Sequence, residues 1–422
     1  MFSLAKKWAG IVYLLLSTLS IQAEPVTRAS ALQIAQENNP EIVAAHAAWK
    51  AEQARALQTW ALPPPELELE YEGLPGAFDL GQYEQRTIGF SQRMKFPVKW
   101  WQRHQAANRL ADAVRLSVYE TTRLNITRDV QIAYDRVLAD QQILLLTKKH
   151  VQLARDFLER AQKRFDAGDV PRLDIMRAEV TLARLENKLM AAQNAVFMSR
   201  GKVNVLMGQM PDVSLTLADS LNYQPAAFDL DSLYAQALRQ RSDFRATTRV
   251  LESAKATRTA SLASFVPDLS LSIAQETTII PAGRLKSWRT GFVLQLPLWA
   301  IFEERGKIAE ASAQHRLATA KKNRIKLRVL QEVHTACSAF QAMTKRMDWM
   351  QRRIRPTAEA AYDIARRSYD EGKATYLDFL KSEGDLIETS IEYVETLFEY
   401  HHARTQLFHA IGQTPVSPIP EN

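Results

Sequence analysis

Two very long helical patterns dominate the chain. Residues 99–164 contain neither Pro nor Gly, and apolar residues recur there at helical spacing. Residues 301–369 repeat the pattern but contain Gly306 and Pro356. Proline removes a helical hydrogen bond, so we expect a kink or register adjustment near Arg355 and Pro356. A helix of about 100 Å has no place in a compact globule, and the pattern predicts an extended coiled coil or tube.

Four shorter segments alternate between apolar and polar residues. Residues 66–72 read E-L-E-L-E-Y-E, with Glu on one face and apolar side chains on the other. The apolar positions of the four predicted strands are Leu67, Leu69, Tyr71; Ile88, Phe90, Met94, Phe96; Leu269, Leu271, Ile273; and Trp288, Phe292, Leu294, Leu296. Such strands suit a membrane β-barrel, whereas alternation alone favours a soluble sheet packed on a helix. Four strands cannot close a barrel, so a barrel would need several copies of the chain.

The chain consists of two similar halves. Gly89-Phe90 matches Gly291-Phe292 at an offset of 202 residues, and residues 165–168 match 369–372 at an offset of 204. Each half reads as helix, two strands, a very long helix, a tight turn and a medium helix. We therefore divide the chain into a signal peptide (1–23), a first repeat (24–213), a linker (214–229), a second repeat (230–413) and a tail (414–422).

The amino-terminal residues predict secretion. Lys6 and Lys7 precede an apolar run over residues 8–19, followed by polar residues and Ala23, which is typical of a cleaved signal peptide. A membrane anchor is the alternative, but the run is shorter than the roughly 20 residues that span a bilayer. Cys337 is the only cysteine, so neither an internal disulfide nor a lipidated Cys after the signal is expected, and Cys337 is predicted to be an inert core residue.

Charge and motifs argue against nucleic-acid binding and catalysis. The formal charge is +7, or +5 without Lys6 and Lys7, and basic residues alternate with acidic ones, as on solvated helix faces. No nucleotide-phosphate loop, paired-Cys site, nucleophile elbow or His-Glu-x-x-His motif is found, so we predict no enzyme activity, cofactor or metal site. Two groups at helical spacing, His401, His402, His409 and Met343, Met347, Met350, are interpreted as helix-face or core residues. Trp60, Trp100 and Trp101 suit either an aromatic girdle or packing at the sheet–helix junction.

The duplicated layout and three stretches resemble the TolC family of outer-membrane efflux proteins. The stretches are residues 62–70, 87–92 and 165–179, and the resemblance extends from about Ala31 to Gly412. These stretches are most similar to the CzcC-like branch, which serves heavy-metal pumps. The resemblance implies a mostly α fold with a small β part. Three chains with four strands each would form a 12-stranded transmembrane β-barrel, continued by an α-helical coiled-coil tunnel in the periplasm.

The resemblance also implies partners and working residues. The expected partners are two further copies of the chain, a periplasmic adaptor, an inner-membrane pump of the resistance-nodulation-division (RND) class and outer-membrane lipid. The adaptor is expected at two helical tips: Gly168, Asp169, Val170 and Pro171, and Gly372, Lys373, Ala374 and Thr375. Asp174 and Asp378 match carboxylates of the pore constriction in relatives, although helix-dipole stabilisation explains them equally well. Lys381, with Arg177 as its equivalent, stands where some relatives carry another carboxylate, which puts cation selectivity at the gate in doubt. Ala374 stands where relatives carry Arg, so the locking pair of relatives is expected to be absent or moved here.

The sequence thus predicts a passive exit duct of a three-part efflux system, with heavy-metal cations as the favoured substrate. Drug efflux and type I secretion are the alternatives within the same class of protein. A periplasmic adaptor or structural coiled-coil protein is the alternative from another class. The presence of two strand pairs, one in each half, argues against this adaptor or coiled-coil alternative.

Overall fold

A computed structural model describes residues 25–168, 171–295, 301–371 and 373–414. The predicted signal peptide, Leu296 and most of the predicted tail lie outside these ranges. No helix within them is both long enough and apolar enough to cross a membrane.

Helices make up most of the described chain, and the order of elements is the same in both halves. The first half contains α1 (Arg28–Asn38), α2 (Pro40–Gln58), β1 (Glu66–Glu72), β2 (Gln85–Met94), α3 (Pro97–Val114), α4 (Thr121–Asp166) and α5 (Arg172–Leu206). The second contains α6 (Leu230–Gln240), α7 (Ser242–Leu262), β3 (Asp268–Ile280), β4 (Gly283–Gln295), α8 (Ile301–Trp349), α9 (Arg355–Asp370) and α10 (Tyr376–Ala410). This mostly helical fold with one small sheet was predicted.

The chain forms two compact units that differ from the sequence repeats. One takes in the residues up to Val43, Thr122–Ala237 and the residues from Gln331 onward. The other takes in Ala44–Thr121 and Leu238–Leu330, and therefore holds the whole sheet. Each unit draws residues from both halves of the chain.

Each long helical run contains a π-helical segment. Met350–Ile354 separates α8 from α9 and directly precedes Pro356. This confirms the predicted register adjustment, because a π turn closes its hydrogen bond one residue farther along than an α turn. The other segment, Arg115–Glu120, lies between α3 and α4 and contains no proline. The sequence analysis missed it.

The first predicted helix is in fact two. Asn39 adopts an extended conformation between α1 and α2, since a residue before proline avoids the α region. Its side chain accepts a hydrogen bond from the backbone N–H of Glu41 at 2.9 Å. Its amide nitrogen donates to the carbonyl of Leu206 at 2.9 Å.

The four strands form one antiparallel sheet in the order β1-β2-β3-β4. Glu66 pairs with Ser91, Thr87 with Glu276 and Ser272 with Gly291. β1 and β4 are the edge strands. The expectation that Phe96 belongs to β2 was wrong, because β2 ends at Met94 and Phe96 directly precedes α3, whose first residue is Pro97.

The two faces of the sheet have opposite polarity, and the apolar face is uncovered. Its exposed residues are Leu67, Leu69, Ile88, Phe90, Ile273, Trp288, Phe292 and Leu294, of which Leu67 is 78% exposed and Phe292 74%. The opposite face carries Glu66, Glu68, Glu70, Glu72 and Glu276, together with Arg93 and Arg289. Arg289 forms an ion pair with Glu276. A soluble sheet packs its apolar face against a helix, whereas no helix among the described residues covers this one.

A buried polar cluster stabilises the first unit. Arg28 donates to Asp135 at 2.6 Å through its side chain and to Asp219 at 2.7 Å through its backbone. The hydroxyl of Tyr134 also donates to Asp219, at 2.8 Å. Burial raises the pKa of Asp135, an effect that the charge of Arg28 opposes. These contacts join the start of α1 and the segment after α5 to α4.

Gly208 provides a test of the packing after α5. Its φ is +76°, and an added Cβ would lie 2.6 Å from the carbonyl oxygen of Asn38. We expect Gly208→Ala to lower the free energy of unfolding by about 1–3 kcal/mol. The control is Gly306→Ala, where a Cβ meets nothing within 4 Å and lies inside α8. That change should stabilise by roughly 0.5–1 kcal/mol. Equal thermal unfolding midpoints of the two variants would contradict this prediction.

Candidate docking tips and pore constriction

The first predicted tip joins α4 to α5. Gly168 ends α4 with φ +84°, and its N–H donates to the carbonyl of Phe165 at 2.8 Å. A left-handed glycine is a common way to end a helix. Pro171 immediately precedes α5. Asp169 and Val170 lie outside the described residues.

The second predicted tip joins α9 to α10. The N–H groups of Lys373 and Ala374 both donate to the carbonyl of Ser368, at 2.8 and 3.0 Å. The ammonium group of Lys373 donates to Glu371 at 2.7 Å. Thr375 precedes the first residue of α10, and Gly372 lies outside the described residues.

The two equivalent aspartates have different partners. The carboxylate of Asp378 accepts from the hydroxyl of Thr375 at 2.7 Å and from its N–H at 3.2 Å. The N–H of Asp378 in turn donates to the Thr375 hydroxyl, which completes a capping box. In the first repeat Pro171 has no N–H to donate. Asp174 instead lies 3.7 Å from the guanidinium group of Arg177.

Hydrogen bonding sets the protonation of Asp378. The bonds from Thr375, followed by the nearby charge of Lys381, lower the pKa of Asp378. A lowered pKa means that the stabilisation is present above the ordinary pKa of aspartate and is lost only as the pH falls through the lower, folded-state value. The cap is therefore complete at neutral pH.

Asp174 and Arg177 line a cavity of 360 Å³ in the first unit. α4 contributes Phe157, Arg160 and Arg164 to its wall, and Leu377 at the start of α10 closes another side. Of the predicted tip residues, Thr375 is part of the lining. Asp378 and Lys381 are not part of its lining, so the structure brings together only half of the predicted constriction set.

The sequence analysis missed Arg160 and Arg164. The sequence signal that could have identified them is their spacing, because side chains four residues apart lie on one face of a helix. Together with Arg177 they place three guanidinium groups and one carboxylate around the cavity. The surroundings of this cavity are therefore basic.

The histidine and methionine groups pack within the helices. Met347 and Met350 are fully buried, His401 lies 3.0 Å from the carbonyl of Asn222, and His409 lies 2.7 Å from Asn125. Burial lowers the pKa of His401 and raises that of Cys337. Within the described ranges, no group of three or more His, Cys, Asp or Glu side chains could hold a metal ion.

The three tryptophans form one aromatic group, since Trp60 lies against both Trp100 and Trp101, with ring centroids 6.1 Å apart in the second pair. The Trp60 ring stacks edge-on against Trp100 at 4.3 Å, and the Trp100 indole N–H donates to the carbonyl of Thr59 at 3.0 Å. These two rings pack where α2 meets α3. Trp101 is 53% exposed and remains compatible with a girdle.

Comparison with known proteins identifies the family. The family model described as "Outer membrane efflux protein" matches residues 31–209 and again residues 233–413. The chain belongs to this family. The two matches fall on its two halves.

The family resemblance extends to curated relatives and solved structures. The chain is 25% identical over 253 residues to nodulation protein T of Rhizobium leguminosarum bv. trifolii, covering 57% of this chain and 52% of that protein. It is 29% identical over 189 residues to the toluene efflux pump outer membrane protein TtgF of Pseudomonas putida, covering 44% and 39%. It therefore matches about half of these relatives' length or less.

Two solved structures share the fold over nearly the whole chain. The outer membrane protein VceC from Vibrio cholerae superposes with a TM-score of 0.72 at 20% identity, covering 92% of this chain and 96% of VceC. CusC superposes with a TM-score of 0.74 at 16% identity, covering 92% of each chain.

Removing the cap at the second tip tests the asymmetry between the repeats. We expect Thr375→Ala to destabilise the first turn of α10 by about 1 kcal/mol, because the N–H groups of that turn lose a partner. Hydrogen exchange in residues 377–380 should speed up. Asp174→Ala is the comparison, and it should leave exchange in the first turn of α5 unchanged. Equal acceleration in both turns would show that Asp174 also acts as a cap.

Proposed function

We propose that the chain is a passive exit duct of the outer membrane. The observation that carries this proposal is the uncovered apolar face of the sheet, opposite a face with five glutamates. The wall of a membrane barrel needs that arrangement, because its outer face contacts lipid and its inner face contacts water. The periplasmic adaptor alternative has no use for an uncovered apolar sheet face.

Closure of the barrel requires more than one chain. β1 and β4 each leave one side without a strand partner within the described residues, and unpaired backbone groups in lipid cost several kcal/mol each. Three copies would supply 12 strands, the number that the family resemblance implies. The long helices would then form the periplasmic tunnel.

The proposed duct works with a periplasmic adaptor and an inner-membrane pump of the RND class. Heavy-metal cations are our proposed substrates, on the similarity of residues 62–70, 87–92 and 165–179 to the CzcC-like branch. The name of the relative TtgF favours organic solvents instead, since it describes a toluene efflux pump. A drug-efflux or type I secretion duct is therefore the second candidate.

Asp174 and Arg177 are the proposed constriction residues of the first repeat. Both line the cavity beside Thr375 of the second tip, and they lie within ion-pair distance of each other. Asp378 and Lys381 remain candidates in the second repeat, where the capping role of Asp378 competes with a pore role. The adaptor would dock at the tips themselves.

Membrane fractionation and a deletion strain test the proposed function. An integral barrel should remain in salt-washed membranes and dissolve only in detergent, whereas an adaptor would be stripped off. The deletion strain should become hypersensitive to zinc, cobalt, cadmium, copper or silver and recover with the complementing gene. Hypersensitivity to dyes, detergents and antibiotics alone would replace metal efflux with drug efflux.

Conductance tests the constriction. Asp174→Ala combined with Asp378→Ala should raise the single-channel conductance of the isolated duct in planar bilayers, because the two carboxylates proposed to hold the constriction closed are removed. Thr375→Ala is the control, since it breaks the second cap and leaves both carboxylates in place. Unchanged conductance of the double variant would remove both aspartates from the constriction. An equal rise in the control would assign the effect to local unfolding.

A further inference from the structure

The uncovered face of the sheet is not apolar along its whole length. Going from the helical end of the sheet towards its turns, Leu269, Phe292 and Ile88 give way to cations. Arg86 lies opposite Thr277, and Thr277 lies opposite Lys286. Arg284 follows on the same face, two residues from Lys286. We call Arg86, Arg284 and Lys286 the basic rim.

The three cations of the basic rim are close enough to act together. Arg86 and Lys286 are two strands apart, so their Cα atoms are separated by about 10 Å. Arg284 and Lys286 are separated by about 7 Å along one strand. Long side chains from these positions can reach one headgroup that carries two phosphates.

The basic rim has few opposing charges. No ion pair of Arg86, Arg284 or Lys286 is found within the described residues, and the Nε of Arg86 is buried there without an acceptor. The guanidinium of Arg86 instead lies over the ring of Tyr83, 5.6 Å from its centroid. Glu84 precedes β2, and its side chain lies against Gly73.

The carboxylates of the sheet are concentrated on the other face. Glu68, Glu70 and Glu276 alternate with the apolar positions and therefore point away from the basic rim. The uncovered face consequently combines an apolar band with a cationic end. That combination matches a lipid whose acyl chains carry an anionic headgroup.

The position of the basic rim in the sheet determines which leaflet of the membrane it faces. The turns of both hairpins lie at the cationic end, and the helices α2, α3 and α7 connect to the opposite end. In the proposed duct the helices extend into the periplasm, so the cationic end faces the outer leaflet. This step rests on the proposed function.

We propose that the basic rim binds the phosphate groups of the phosphorylated glycolipid that forms the outer leaflet, namely lipid A. Tyr71, directly opposite Arg86, and Trp288, two residues beyond Lys286, flank the rim. Aromatic rings of this kind prefer the boundary between headgroups and acyl chains. The site holds the barrel at a fixed depth in an asymmetric membrane.

The test is lipid binding by the full chain purified in detergent. Lipid A should raise the thermal unfolding midpoint of the wild type, and native mass spectrometry should show bound lipid A. Arg284→Gln with Lys286→Gln should weaken lipid A binding on the order of tenfold or more, since each surface cation contributes several-fold. The effect should shrink in high salt.

Two matched variants control for fold and for charge. Arg284→Lys with Lys286→Arg keeps both charges and should keep the affinity. Lys321→Gln with Arg324→Gln removes the same amount of charge from α8, outside the sheet. This variant should also keep the affinity for lipid A. Unchanged affinity in the Arg284→Gln, Lys286→Gln variant would overturn the proposal.

Other ligands distinguish the phosphate source. Equal binding of phosphatidylglycerol would overturn the assignment to the glycolipid, and full competition by millimolar inorganic phosphate would indicate a free-anion site instead. Conductance of the same preparations separates the two proposals. A conducting duct without lipid A binding would refute the basic rim alone, whereas a protein that neither needs detergent nor conducts would refute the duct.

Discussion

The four-stranded sheet leaves its apolar face uncovered, and this constraint determines what the rest of the chain must do. Side chains such as Leu67 and Phe292 are largely exposed, while the opposite face holds glutamates. A sheet of this kind is stable only if another apolar phase covers it and if its two edges find partners. In the proposed duct, a membrane would supply the first and further copies of the chain the second.

The two halves of the chain share an order of elements but differ at the predicted tips. Thr375 and Asp378 form a reciprocal cap, whereas Pro171 cannot donate and leaves Asp174 to Arg177. One residue thus changes the role of an equivalent carboxylate. The same divergence leaves one π-helical segment next to Pro356 and the other without any proline. A duplicated fold can therefore hold two non-equivalent tips.

The cavity near the tips and the polar face of the sheet differ in charge. Arg160, Arg164 and Arg177 surround the cavity, while the polar face of the sheet is rich in glutamate. A basic cavity at the proposed constriction would oppose cation entry, which bears on the metal proposal. The spacing of Arg160 and Arg164 was readable from the sequence, but the place where they meet Asp174 was not.

The sequence by itself determined the elements. Period-2 alternation placed β1 at residues 66–72, and the absence of Pro and Gly placed the long helix of the first half, because these are local properties of the backbone. The tertiary structure decided which faces are covered and which side chains meet, because a local sequence pattern carries no information about either. Alternation does not say which face is covered, so a soluble sheet stayed possible until the apolar face was seen to be exposed. Likewise, the equivalence of two positions in the repeats does not reveal which residues their side chains contact. Only the fold showed that Asp378 caps α10 while Asp174 faces a cavity, because hydrogen bonds and cavities depend on which side chains meet in space.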